Sequence, residues 1–278
     1  MMNSVRITGL LAVLTGAFLG VGFILGGQSG MILGFVLALV MNFGSYWFSD
    51  KIALKIHKAK PLPADKAPEL HKAVERMAQD AGIPKPNLYM TPMKVPNAFA
   101  TGRSPKKGVI AVTEGLMNQL DRDEIDGVIA HEMAHIKNRD TLVNSVVATI
   151  AGAMSIAAEM AFYGAMFSGD ERNSDMAGAL VMMVLTPLIA TLIRMAVSRR
   201  MEFRADTDAV KIHGQKEGLK SALQSISSTN DRTRVKGSRV QESGANMYIY
   251  NPFSGHKLSK YFSTHPSLEK RLENIDKS

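Results

Sequence analysis

Residues 129–154 read IAHEMAHIKNRDTLVNSVVATIAGAM. The stretch opens on a pattern suited to a water-using metal centre and runs, without a break, into one suited to lipid. His131 and His135 are four residues apart, so a helix places both rings on one face, one turn apart. As neutral imidazoles they can share one Zn2+ at about 2.0–2.1 Å. Glu132 points beside such a metal, where a carboxylate can accept a proton from the attacking water and return it to the leaving amine. H-E-x-x-H on a helix is a metalloprotease signature when its context agrees. Here Asp121 stands as an N-cap with Glu124 three residues on, a capping box, and Ile125, Val128 and Ile129 supply an apolar face.

The lipid-like part of that stretch has counterparts. Between Ile7 and Ser49 there is no Asp, Glu, Lys or Arg, and this run is about twice the roughly 20 residues that one helical crossing needs. The turn-rich cluster Gly26-Gly27-Gln28-Ser29-Gly30 divides it into two spans, Ile7 to Gly26 and Met31 to Phe48. A cleaved signal peptide is shorter than this run and is not followed at once by a second span. Segments 142–167 and 176–197 form a second candidate hairpin. They carry Glu159 and Arg194, which should face protein or water, or snorkel. Basic stretches follow each hairpin, DKIALKIHKAK at 50–60 and SRRMEFR at 198–204, whereas the loops GGQSG and SGDERNSD hold one Arg between them. By the distribution of Lys and Arg, both termini and the polar segments face the cytoplasm.

The formal net charge is +8 over 278 residues, which suits a surface lying on anionic lipid. The charges are spread out and no base-reading module is present, so no nucleic-acid partner is expected. There is no P-loop pattern for ATP. With no cysteine in the chain, a metal has to be held by His and carboxylates. In the polar block 51–140, PLPADKAPELHKAVERMAQDAG reads as a helix ended by Gly82, PKPNLYM and PNAFATG as extended pieces, Val109 to Val112 as a strand, and then comes the motif helix. After the second hairpin, Met201 to His213 and Lys216 to Ser228 look helical, and HPSLEKRLENI closes the chain as an amphipathic helix. The stretch from Thr229 to Ser263 is a long Gly- and Ser-rich loop, which suggests a lid over the cleft.

A catalytic zinc wants a third protein ligand and one open position. The candidates are His57, His71, His213, His256, His265 or a carboxylate. In RRMEFRADTDAV, Glu202 and Asp206 share one helix face: Glu202 can ligate, and Asp206 can accept a hydrogen bond from a ligand histidine's other nitrogen. Taken alone, such a pair among arginines equally describes a solvated, ion-paired face.

H-E-M-A-H at 131–135 and E-F-R-A-D at 202–206, each beside a hydrophobic hairpin, together with PNAFATG and THPSLEKR, resemble the HtpX-type membrane zinc metallopeptidases, relatives of the CAAX prenyl endopeptidases. The resemblance covers essentially the whole chain. It implies an α+β, mainly helical integral membrane protein with two helical hairpins and a cytoplasmic zincin-like domain bearing a small sheet. The implied layout is an N-terminal transmembrane hairpin (1–49), a first catalytic part with the motif helix (50–140), a second hairpin (141–198) and a second catalytic part (199–278). It implies one Zn2+ held by His131, His135 and Glu202, with Glu132 as catalytic base. Asn97, Ala98, Phe99 and Ala100 would form an edge strand that pairs with extended substrate. His265 and Arg271 would stand near the scissile carbonyl, where either can stabilise the oxyanion. The implied activity is quality control of unfolded or damaged membrane proteins under stress, at the bacterial inner membrane, beside an ATP-dependent membrane protease.

Other classes make different predictions. A four-span transporter with a structural zinc leaves Glu132 without a task, and a membrane-anchored scaffold would hold no stoichiometric metal. Prenyl-protein processing calls for a large intramembrane chamber, and a chain with at most four spans is expected to be too small to enclose one.

Overall fold

The computed structural model of the chain describes residues 2–144, 199–232, 249 and 266–278; for part of the first helix and at 230–232 it describes the backbone alone. The chain divides into two compact units, Met1–Trp47 with Ser145–Arg194 and Phe48–Asn144 with Met195–Ser278.

The N-terminal helix α1 (Met2–Ile56) is broken at Gly26 and Gly27, where Gly27 takes φ 57°. Left-handed backbone of this kind is open to glycine. The expected turn of five residues is therefore confined to two. The arms fold back on each other: a Cβ on Gly22 would collide with the Gly30 carbonyl, and one on Gly34 with the Phe18 carbonyl. Along the second arm Ile32, Leu33, Val36, Leu37, Val40 and Phe43 are exposed. Among the described residues no helix is long and apolar enough to cross a membrane, and many side chains of the first arm lie outside that description. Glu159, Arg194 and nearly all of segments 142–167 and 176–197 lie outside it too.

The second unit is built on a four-stranded sheet of order β1-β2-β4-β3: β1 (Lys60–Pro61), β2 (Asn87–Thr91), β3 (Ala98–Thr101) and β4 (Val109–Thr113). β2 and β4 run parallel, while β1 on β2 and β3 on β4 are antiparallel. Every residue of β4 is buried, as befits a strand covered on both faces. On one face the end of α1 brings Ala53 and Leu54 against Phe99 and Ala111. The main core fills the rest of the unit and runs through α2 (Pro68–Ala81), α3 (Glu114–Gln119) and α4 (Arg122–Lys137).

α2 starts later than its sequence suggests, at Pro68, and residues 61–67 stay outside it. It buries Leu70, Ala73, Val74, Met77, Ala78 and Ala81, a helical stripe, and ends where Gly82 turns left-handed and Ile83 N–H closes on the Ala78 carbonyl at 3.0 Å. α4 carries the expected capping box: Asp121 accepts from Glu124 N–H at 2.9 Å, and Glu124 accepts from Asp121 N–H at 3.1 Å. Residues 199–213 form α5, followed by α6 (Glu217–Arg232) and the closing helix α7 (Leu268–Asp276). α4 is buried at every position from Glu124 to Ile136. It packs against α2, α6 and β3. Gly127 makes the α6 approach possible, because a Cβ there would meet the Leu219 backbone.

Candidate metal centre and active site

α4 presents His131 and His135 from successive turns, and α5 brings Glu202 against them. One ligand atom from each of His131, His135 and Glu202 lies within 4.8 Å of the others. The two Nε2 atoms stand 3.2 Å apart, His135 Nε2 is 3.4 Å from Glu202 Oε1, and His131 Nε2 is 3.6 Å from Glu202 Oε2. Tetrahedral ligands about 2.0–2.1 Å from one ion stand about 3.3 Å from each other, so these separations suit a single cation. Glu132, on the same turn, is 2% exposed.

Each histidine is oriented from behind. His131 Nδ1 is 3.0 Å from Asp206 Oδ1, and His135 Nδ1 is 3.1 Å from Asp140 Oδ2. A carboxylate on Nδ1 leaves the Nε2 lone pair for a metal. Asp206 is clamped by Arg271 from α7, through Nε at 3.0 Å and Nη2 at 2.6 Å. Asp140 is clamped by Arg204 of α5. Two further bonds hold the helices in register: Asn138 donates to Asp208 at 2.7 Å, and Asn274 to the Phe203 carbonyl at 2.9 Å.

Burial by itself depresses both imidazoles, but hydrogen bonds to Asp206 and Glu202 leave His131 above the ordinary His value, and those to Asp140 and Glu202 leave His135 well above it. Burial pushes the Glu132 carboxyl up. Burial by itself would raise Asp206, but the Arg271 charge together with hydrogen bonds to His131 and Arg271 leaves it below its ordinary value. Glu132, Asp140, Glu202 and Asp206 are all buried, and against these four carboxylates stand the guanidiniums of Arg204 and Arg271. With both imidazoles neutral and the four carboxylates ionised, the protonation states a bound metal requires, two negative charges are left over and match one divalent cation; buried charge without compensation is costly. The donor set, spacing and charge thus all fit a catalytic His-His-Glu metal.

Of the other residues singled out in the sequence, Asn97, Ala98, Phe99 and Ala100 lie at the sheet edge in and beside β3, all buried. Arg271 is in the site; beyond Asp206, its Nη2 is 3.4 Å from both nitrogens of His131, and its Nη1 is 3.5 Å from Glu202 Oε2. His265 and most of 229–263 lie outside the described residues. Asp140 and Arg204 escaped sequence reading. The available signal was position: Asp140 is the fifth residue after His135, and Arg139 takes φ 58°, the left-handed turn that ends α4 and lets the next side chain reach back.

A helix bearing H-E-x-x-H, a carboxylate from a second helix and a small sheet beside them define a metallopeptidase of the His-His-Glu class. Residues 64–278 match the model of peptidase family M48, and the chain belongs to that family. A protein named Protease HtpX homolog from Persephonella marina is 45% identical over 278 residues, covering 99% of this chain and 96% of its own. One of the same name from Pyrococcus furiosus is 46% identical over 274 residues, covering 97% and 94%. Among solved structures, Ste24p of S. mikatae matches with a TM-score of 0.57 at 20% identity, over 99% of this chain and 66% of that longer chain. The protein is thus a metalloendopeptidase of mixed helical and small-sheet fold.

Proposed function

We propose that the chain is a membrane-anchored zinc endopeptidase that cuts unfolded or damaged membrane-protein segments at the cytoplasmic face of the bacterial inner membrane. The convergence of His131, His135 and Glu202 on one point, with Glu132 buried beside them, carries this reading. These three residues hold one zinc ion. When bound, zinc supplies Lewis acidity toward the scissile carbonyl and the attacking water.

The chain's own residues do the rest. Asp206 and Asp140 keep the Nε2 lone pairs of the two histidines turned inward. Glu132 takes the proton of the attacking water on a carboxylate oxygen and passes it to the leaving amine. The outer edge of β3, Asn97 to Ala100, receives the substrate as an added strand. Arg271 supplies positive charge beside the ligands, and His265 is the second group for the developing oxyanion.

The membrane part rests on the uncharged run from Ile7 to Ser49 and on the exposed apolar side chains of α1. The 142–167 and 176–197 segments complete a second hairpin, with both termini cytoplasmic. Tethering enzyme and substrate to one bilayer raises their effective concentration. Work in membrane-protein quality control alongside an ATP-dependent membrane protease belongs to the same proposal.

The test is cleavage of an unfolded membrane protein or casein by zinc-loaded wild type against Glu132→Gln, with metal content measured in both. Cleavage by wild type alone, at equal zinc content, is the expected result. Proteolysis that survives in zinc-bound Glu132→Gln would remove Glu132 from the chemistry.

A further inference from the structure

The basic side chains of the second unit fall into two sets. Lys72, Lys85, Arg122, Lys220 and Lys277 each rest on a carboxylate, at 2.6 to 3.2 Å. Lys106, Lys107, Lys137 and Arg139 are exposed and, among the described residues, meet no carboxylate. These four come from two stretches, GRSPKKG at 102–108 and IKNR at 136–139, which contain no Asp or Glu.

The fold ties the two stretches together. Loop 102–108 follows β3 and doubles back on itself: Gly102 takes φ 128°, and a Cβ there would meet the Lys107 carbonyl. Gly108 N–H then closes on the Pro105 carbonyl at 3.3 Å. The loop is seated on the end of α4. Thr141 Oγ1 donates to the Gly102 carbonyl at 2.8 Å, across 39 residues of sequence, and a Cβ on Gly108 would strike Ile136 Cγ2. Just beyond Thr141 the chain leaves the second unit, after Asn144. The passages after Trp47 and Arg194 are also followed by exposed bases, Lys51 with Lys55 and Arg199 with Arg200. Those bases adjoin an apolar stretch in sequence. Loop 102–108 does not, and only its contacts with Thr141 and Ile136 bring its charge to such a passage.

We propose that loop 102–108 and the end of α4 form a contact surface for the anionic headgroups of a lipid bilayer, with Lys106, Lys107, Lys137 and Arg139 as its charges. Like charges gathered without counter-charge repel one another, and an anionic surface offsets that repulsion. Neither stretch carries an aromatic side chain on which a base could stack, so a nucleic acid is the poorer fit. The inference rests on the membrane-anchored reading. Its consequence is positional. The loop continues from β3, and α4 carries His131 and His135, so the contact sets the end of the substrate edge and the metal site at headgroup level, where an unfolded segment leaves the bilayer.

The test places the full zinc-loaded chain in nanodiscs of phosphatidylcholine, with and without phosphatidylglycerol, and reads the acylation rate of each lysine by mass spectrometry. Phosphatidylglycerol should slow Lys106, Lys107 and Lys137 by about fivefold, the scale of one base at an anionic surface. The ion-paired Lys72 and Lys277 should not change. Salt at about 1 M, where the screening length falls to about 3 Å, should remove the difference. No slowing, or equal slowing of Lys72 and Lys277, overturns the inference and leaves the chain membrane-anchored. A chain that enters neither disc and stays in the aqueous fraction overturns the anchored reading itself. Slowing by added RNA but not by phosphatidylglycerol gives the surface to nucleic acid and equally overturns the inference. A second measurement isolates the loop. The chain has no cysteine, so Ser104→Cys takes a single environment-sensitive dye. Spin-labelled headgroups should quench that dye in discs with phosphatidylglycerol, and Lys106→Gln with Lys107→Gln should relieve most of the quenching. Quenching that the double substitution leaves unchanged overturns the assignment of the loop.

Discussion

His131 and His135 are supported by the same chemistry drawn from different distances. Behind each Nδ1 stands a buried aspartate, and on each aspartate an arginine. His135 takes its aspartate from the next turn of chain, Asp140, whereas His131 takes Asp206 from α5 and that residue's clamp, Arg271, from the last helix. The two arginines differ in exposure: the Arg271 side chain is 3% exposed and that of Arg204 is 33%. A dry ion pair is expensive to form and more expensive to halve, while a pair open to water is screened. His131 is thus held by the closure of the whole unit, and His135 by a local turn with a wetter brace.

The largest effect should come from Arg271→Met. It leaves Asp206 buried without its cation, and unfolding by urea should show a loss of about 3–5 kcal/mol. A loss below about 1 kcal/mol, the level of an exposed pair, would erase the contrast between the two supports.

Next are Asp206→Asn and Asp140→Asn, which keep shape but weaken the hold on each ring. Each should reduce zinc affinity by about 10- to 100-fold in chelator competition. If only one of them moves the affinity, the supports are not equivalent toward the metal. Arg204→Met should cost less than Arg271→Met, because the Arg204 side chain is 33% exposed and already partly hydrated, although its partner Asp140 is buried.

The last effect lies outside both supports and shows only in acid. His57 packs on Phe99 with ring centroids 5.0 Å apart, and burial pushes it down to about 4. Unfolded, it titrates near the ordinary value of about 6.5. Its contribution is therefore full above that value and is lost as pH falls from there toward 4, with a slope of at most about 1.4 kcal/mol per pH unit. His57→Gln should flatten that part of the stability profile while leaving zinc affinity unchanged. A profile as steep as wild type would assign the slope to another group.

Local grammar made much of this molecule legible. The capping box at Asp121, the Gly82 stop, the Val109 strand and the break near Gly26 all depend on neighbours within a few residues, and all appear close to where sequence places them. Asp140 and Arg204 were not legible, although both stand within a few residues of recognised motifs. Charged residues in a motif's vicinity look like solvated surface until a left-handed residue such as Arg139 turns one of them inward. Gly127 was equally silent, since its reason is the backbone of α6.

The sequence by itself determined the helix that carries His131, Glu132 and His135, because a spacing of four on a capped helix has one geometric outcome. It also narrowed the third ligand to a short set that included Glu202. Only the tertiary structure decided that Glu202 reaches the two rings, that Asp140 and Arg271 stand behind them, and that Ile249 lies on the sheet edge. Those contacts join residues from separate elements. They are selected by the closing of a shared core and the need to compensate buried charge, which no local pattern encodes.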